Sequence, residues 1–242
     1  MDSRFVIILL SIFILVACSE SRFHAPVING NIERIPKNGM HKVLSRETLY
    51  SIAWRYGLDY RDLAAYNGIV SPYHINSGRL ISLRMPPEYV RKSTKMRYHH
   101  FASFISNVPV IEDRESVSVN PVWQFPAKGR LIGFYSNSNK GINIAGKRGD
   151  PVVAASSGKV VYAGNRLRSY GNLIIIKHNE SFLTAYAHND KILIKEGDWV
   201  RGGQNIAEMG NTGARRVMLH FEIRLNGQPV NPLVYLSNQR YN

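Results

Sequence analysis

The stretch NKGINIAGKRGDPVVAASSGKVVYAG, residues 139–164, decides the fold class of the larger part of this chain. Its second half alternates short β-forming runs with glycine turns. The pattern continues through GNLIIIKHN (171–179), FLTAYAHND (182–190), DWVRGGQNIAEMGNTG (198–213) and LHFEIRLNGQPVNPLVYL (219–236), with no convincing long helix. Turn signals at this spacing predict a mostly antiparallel sheet or sandwich. Alternation along a strand then assigns faces. In FLTAYAH, Phe182, Thr184, Tyr186 and His188 share one face. In LHFEIRL, Leu219, Phe221, Ile223 and Leu225 point to a core while His220, Glu222 and Arg224 point the other way.

A second ordered block precedes it. From His41 the sequence opens with a short strand, then places Leu49, Ile52, Ala53 and Tyr56 at the i, i+3, i+4, i+7 spacing of one helix face. Gly57 stops that helix, Asp59 caps a second one carrying Leu63 and Ala64, and RLISL returns as a strand. The expectation is a small α+β module of order βααβ over 41–84. The segments ETL (47–49), SIAWRYG (51–57), DLAAYNGI (62–69) and INSGRLISL (75–83) resemble LysM, a module that binds N-acetylglucosamine-containing glycans such as peptidoglycan. His41 stands where that family often has an aromatic, and Arg46-Glu47-Thr48 replaces its Gly-Asp-Thr. The resemblance implies glycan contacts at Glu47, Thr48, Leu49, Asn67 and Ile75.

The N-terminus is of a different kind. Residues 5–17, FVIILLSIFILVA, span about 20 Å as a helix, short of the roughly 20 residues that a bilayer crossing needs. The run suits the apolar region of a secretory signal over 1–17. It ends at Cys18, the only cysteine. LVAC resembles a bacterial lipobox, which implies acylation of Cys18, and Ser19 after it implies the periplasmic face of the outer membrane of a Gram-negative cell. An uncleaved, slightly short membrane anchor is the alternative. Residues 18–40 read as a tether and 85–120 as a flexible basic linker, both without periodicity. A chain of about 36 residues spans about 30–36 Å, enough for one module to hold the wall while the other searches nearby. Lys plus Arg number 31 against 17 Asp plus Glu, a net +14. Such a surface attracts polyanions. In an exported protein these are cell wall, anionic lipid or an acidic protein partner, not nucleic acid.

The block 121–238, through Gly141–Gly164, the YAH at 186–188 and LHFEIR at 219–224, resembles the LytM-type zinc endopeptidases that cut peptidoglycan cross-bridges. Active members read His-x-Gly-x-Asp in the first motif and His-x-His in the last. Carried over, the three zinc-ligand positions hold Asn139, Asn143 and Glu222, while the two assisting histidines remain as His188 and His220. A catalytic zinc site uses three His, Asp, Glu or Cys side chains plus water. Asn carbonyls are poor zinc donors, so the expectation is no metal, no cofactor and no catalysis. His178 and Asp190 lack ligand spacing, and a rearranged His188–His220–Glu222 set is the remaining metal alternative.

Lipobox, LysM and a zinc-less LytM domain in that order resemble the NlpD family of outer-membrane lipoproteins. That family activates zinc-dependent N-acetylmuramoyl-L-alanine amidases in cell division. The resemblance implies that Asn139, Asn143, His188, His220, Glu222 and Arg224 line the rim of a vacant groove where the amidase docks. An active zinc metalloendopeptidase and a passive wall-binding scaffold are the competing readings.

Overall fold

The computed structural model describes residues 32–86 and 121–236. The signal, Cys18 and most of the tether lie outside these residues, as do 87–120 of the linker. Among the described residues, no helix is long and apolar enough to cross a membrane.

The first module is β1 (Met40–Lys42), α1 (Leu49–Tyr56), α2 (Tyr60–Tyr66) and β2 (Leu80–Ser82), with β1 and β2 paired antiparallel. Thr48 caps α1 in a reciprocal box. Its hydroxyl accepts from Ser51 N while the Ser51 hydroxyl accepts from Thr48 N. Gly57 closes α1 in the left-handed conformation at φ +65°, which only glycine adopts without strain. Asp59 caps α2 by accepting from Arg61 N. Leu49, Ile52, Leu63 and Ile81 are wholly buried and form the module's centre. The tether expected up to residue 40 does not stay free over its last part. Glu33 N donates to Arg55 O, and Ile35 packs on the module's core.

The second domain is an antiparallel β structure, as its turn spacing predicts. Its strands are β3 (Leu131–Gly133), β4 (Ile142–Ala145), β5 (Pro151–Val153), β6 (Gly158–Gly164), β7 (Asn172–Lys177), β8 (Phe182–Ile192), β9 (Trp199–Val200), β10 (Asn205–Met209), β11 (Met218–Leu225) and β12 (Gln228–Val230). A short helix, α3 (Pro232–Leu236), follows. The main path runs β3-β4-β11-β8-β7-β6-β9, with β10 joining β5 to β8 and β12 flanking β11.

Alternation gives this sheet two faces with two different neighbours. Ile174, Ile176, Tyr186, Leu219, Phe221 and Ile223 turn into the domain's own core, with Trp123 and Leu236. Val161, Tyr162, Leu173, Ile175, Leu183, Ala185 and Ala187 join the core of the first module instead. The module is therefore docked on the sheet, and the two share one apolar cluster. This corrects the expectation of two modules moving independently. The physical reason lies in apolar side chains on both faces of the sheet, which exclude water only when both are covered.

Candidate functional site

β4, β8 and β11 lie side by side and bring the sequence-identified positions together. In the register, His220 of β11 sits opposite Asn143 of β4 on one side and Ala187 of β8 on the other. His220 Nδ1 lies 2.7 Å from Asn143 Oδ1, and its Nε2 lies 3.1 Å from Glu222 Oε1. The same Glu222 oxygen accepts from the Tyr170 hydroxyl at 2.8 Å. Its other oxygen faces the Arg224 guanidinium, with Nε and Nη2 both at 3.4 Å. Asn139 donates its amide to Phe134 O and Gly141 O, each at 3.0 Å. Gly141 itself sits so close that an added Cβ would fall 2.1 Å from Phe221 O, so β4 enters the sheet only with glycine there.

His188 reaches this cluster by an irregularity. Asn172 pairs with Asn189, but Ile174, two residues on, pairs with Tyr186, three residues back, so β8 holds one extra residue. His188 lies within it at φ +67°. The bulge rotates the side chain off the Tyr186 face, and its ring centroid comes 6.1 Å from that of His220. The expected grouping of His188 with Phe182, Thr184 and Tyr186 is corrected accordingly; Thr184 and Tyr186 do share a face and a hydroxyl–hydroxyl bond of 3.1 Å. His188 Nδ1 lies 2.8 Å from Thr212 O, while its Nε2 is buried without a hydrogen-bond partner. Thr212 is brought there by Gly171, where any Cβ would collide with Thr212 O at 2.0 Å.

The opposite charges of Glu222 and Arg224 are paired, while Asn139 Oδ1 and His188 Nε2 are buried without a hydrogen-bond partner. Burial works to raise the Glu222 pKa, but Arg224 and the His220 and Tyr170 hydrogen bonds outweigh it, and the carboxyl stays below the usual range. Burial, and then the neighbouring His220, lower His188 to about 4, so it is neutral at physiological pH. Burial and the Glu222 charge push the Tyr170 phenol up, keeping it a donor.

The donor set does not fit a zinc ion. Asn139 turns amide hydrogens to carbonyls, the Asn143 oxygen is taken by His220, and both Glu222 oxygens are held by Tyr170, His220 and Arg224. A guanidinium already balances the one carboxylate. Among the described residues, no three His, Cys, Asp or Glu side chains form a group able to hold a metal ion, the His188–His220–Glu222 set included.

One expectation about this site is overturned. Asn139, Asn143, His188, His220, Glu222 and Arg224 do not line an open rim, for all are between 0% and 2% exposed. Tyr170 and Thr212 of the β domain itself lie against Glu222 and His188, and the first module covers Arg224. The Arg224 guanidinium lies 3.5 Å from the centre of the Trp54 ring, and its Nη1 donates to Trp54 O at 3.0 Å. Around this plug, Arg61 Nη2 donates to Asn226 Oδ1 at 2.9 Å and Tyr60 to Glu180 at 3.1 Å. Arg55 Nη2 donates to Arg166 O at 3.3 Å. The sequence reading missed Tyr170, Thr212 and Trp54. Only Trp54 left a signal, as a large aromatic off the apolar face of α1.

The proposed glycan contacts are also redistributed. Glu47 is buried between His41 Nε2 at 2.7 Å and Arg55 Nη2 at 2.6 Å, and Leu49 is wholly buried. Both belong to the module's interior, a correction. Asn67 braces β2 through Ser82 N at 2.7 Å, while Thr48, Asn67 and Ile75 keep part of their surface in solvent.

A βααβ module followed by an antiparallel sheet with three side-by-side site strands defines the class: a LysM domain joined to a peptidase-type β domain. The LysM domain pattern matches residues 41–84, and that of Peptidase family M23 matches 137–232. The lipoprotein NlpD/LppB homolog of Pseudomonas aeruginosa is 41% identical over 93% of this chain and 89% of its own. The murein hydrolase activator NlpD of Escherichia coli is 34% identical over 87% of this chain and 71% of its own. A zinc-containing peptidase from Vibrio cholerae is similar over 46% of this chain and 39% of its own, with 29% identity and a TM-score of 0.43. The chain belongs to the NlpD/LppB lipoprotein family.

Proposed function

We propose that this protein is a non-catalytic activator of periplasmic N-acetylmuramoyl-L-alanine amidases, acting in wall splitting at division. It holds peptidoglycan through the LysM module and the amidase through the site face of the β domain. One observation carries this reading. The only carboxylate at the former ligand positions is neutralised by Arg224 and hydrogen-bonded by Tyr170, with Asn at the other two. Such a site lacks the Lewis acid and the activated water that amide cleavage needs. It keeps shape and fixed polar groups, which suit recognition of another polypeptide. The name of the Escherichia coli relative, a murein hydrolase activator, supports the same role.

Anchoring follows the same logic. Acylation at Cys18 would hold the protein on the periplasmic face of the outer membrane, each buried lipid methylene contributing about 0.8 kcal/mol. Glycan binding is assigned to the loops on either side of α1 and α2, where Thr48, Asn67 and Ile75 remain partly accessible.

The test is dye release from labelled peptidoglycan. The purified protein alone is expected to release none, and its mixture with a purified amidase more than the amidase alone. Equal release by mixture and amidase refutes activation and leaves the passive scaffold. Release by the protein alone, together with one zinc per chain in metal analysis, restores the endopeptidase.

A further inference from the structure

We propose that the LysM module is a stopper for its own chain's amidase-binding face, and that the module must swing away before a partner can dock. The inference rests on the activator reading above and adds its regulation. The seated module covers Arg224 and the apolar residues Val161, Leu183, Ala185 and Ala187 beside it, and every residue of the proposed docking face is at most 2% exposed. No partner can touch Glu222, His220 or Arg224 in that arrangement.

The contact has the make-up of a reversible one. At its centre, the guanidinium of Arg224 stacks on Trp54 and donates to a carbonyl in the last turn of α1. A cation there meets the negative end of the helix. At its margin, Arg61–Asn226, Tyr60–Glu180 and Arg55–Arg166 each end on an exposed residue of the β domain, where water can replace the hydrogen bond. Undocking leaves no buried charge orphaned, because Arg224 and Glu222 are paired within β11 itself. What it uncovers is an apolar floor of Val161, Leu183, Ala185 and Ala187 beside one arginine. A partner segment that offers an aromatic side chain and the free carbonyls of a helix end meets the same chemistry that α1 now supplies. None of the bonds named here involves the LysM loops at 44–48 or 67–78, so a wall-bound module is not thereby released.

Population arithmetic sets the expected size. If the seated form predominates by about tenfold or more, the apparent amidase affinity is reduced by that factor, and unseating the module restores it.

Two substitutions in the full chain unseat the module without touching the docking face. Gly227 forms the β11–β12 turn at φ +78°, and a Cβ there would lie 2.7 Å from Asp59 Cα and 2.8 Å from its nitrogen. Gly227→Asn keeps the turn, since Asn tolerates positive φ, and wedges α2 away. Trp54→Ala removes the stacked ring from the module side. Amide exchange over residues 54–61 and along β11 reports opening, and dissociation constants with a purified amidase report access. The expected result is faster exchange with amidase binding tighter by about tenfold. Opened variants that bind the amidase no better than the wild type overturn the stopper and leave the activator reading intact. Opened variants and wild type that all fail to bind any amidase overturn the activator reading itself. If neither substitution speeds exchange, the module is a fixed part of the domain and the stopper is likewise overturned.

Discussion

Glu47 shows why a residue expected on a sugar-facing surface belongs to the interior. It ties β1 to α1 by holding His41 and Arg55, and by accepting from Leu44 N at 2.9 Å. Burial raises its pKa, but the His41 and Leu44 hydrogen bonds and Arg55 outweigh this and set it below 4.5. A depressed carboxylate contributes stability that is full above the unfolded pKa and disappears as pH falls through the folded one. Glu47→Gln is expected to lower stability at pH 7 by about 3 kcal/mol, since it strips a buried pair of its anion, with a smaller deficit below pH 4. Denaturant titrations at the two pH values check it. Histidine gives the earlier acid transition. Burial lowers both His178 and His188 to about 4 from an ordinary 6.5, so the fold favours their neutral forms. Their contribution is complete above pH 6.5 and declines between 6.5 and 4. In NMR titrations, both rings are expected to hold constant ring-proton shifts from pH 8 to about 5, where an exposed imidazole has already titrated.

At the scale of elements, local signals were the most legible. The i, i+3, i+4, i+7 spacing and the Asp59 cap located α1 and α2 because capping and amphipathicity act within a few residues. Thr48→Ala breaks the reciprocal box at α1 and is expected to cost about 1 kcal/mol in thermal or denaturant unfolding. The alternation of β11 was also readable, and His220, Glu222 and Arg224 do share a face. The placement of His188 was not. A bulge is specified by pairing across β7 and β8, and nothing inside YAHND announces the extra residue. Gly141 belongs to the same level. Gly141→Ala is expected to destabilise by about 2–3 kcal/mol, through main-chain collision with Phe221 where β4 joins β11. Differential unfolding against the wild type measures it.

For the whole molecule, the sequence divided the chain into two blocks but said nothing of their contact. Docking depends on surfaces assembled from residues over a hundred positions apart, such as Trp54 with Arg224. The available hints were two side chains that suited no local role, an aromatic off the core face of α1 and an arginine on an inner strand. Because one apolar cluster runs from Leu49 and Ile52 to Ile175 and Ala185, the described parts are expected to unfold together. Calorimetry should record a single transition for the wild type. Separate transitions in the wild type would show that the shared cluster contributes little.

The extra residue in β8 has a consequence for anyone editing this strand. Deleting Ala187 would restore an unbroken ladder from Tyr186 to Asn189 and set the remaining imidazole at the position now paired with His220, on the face opposite Tyr186. The strand would then hold both rings on one face by parity alone, without the left-handed residue that now aims His188 Nδ1 at Thr212 O.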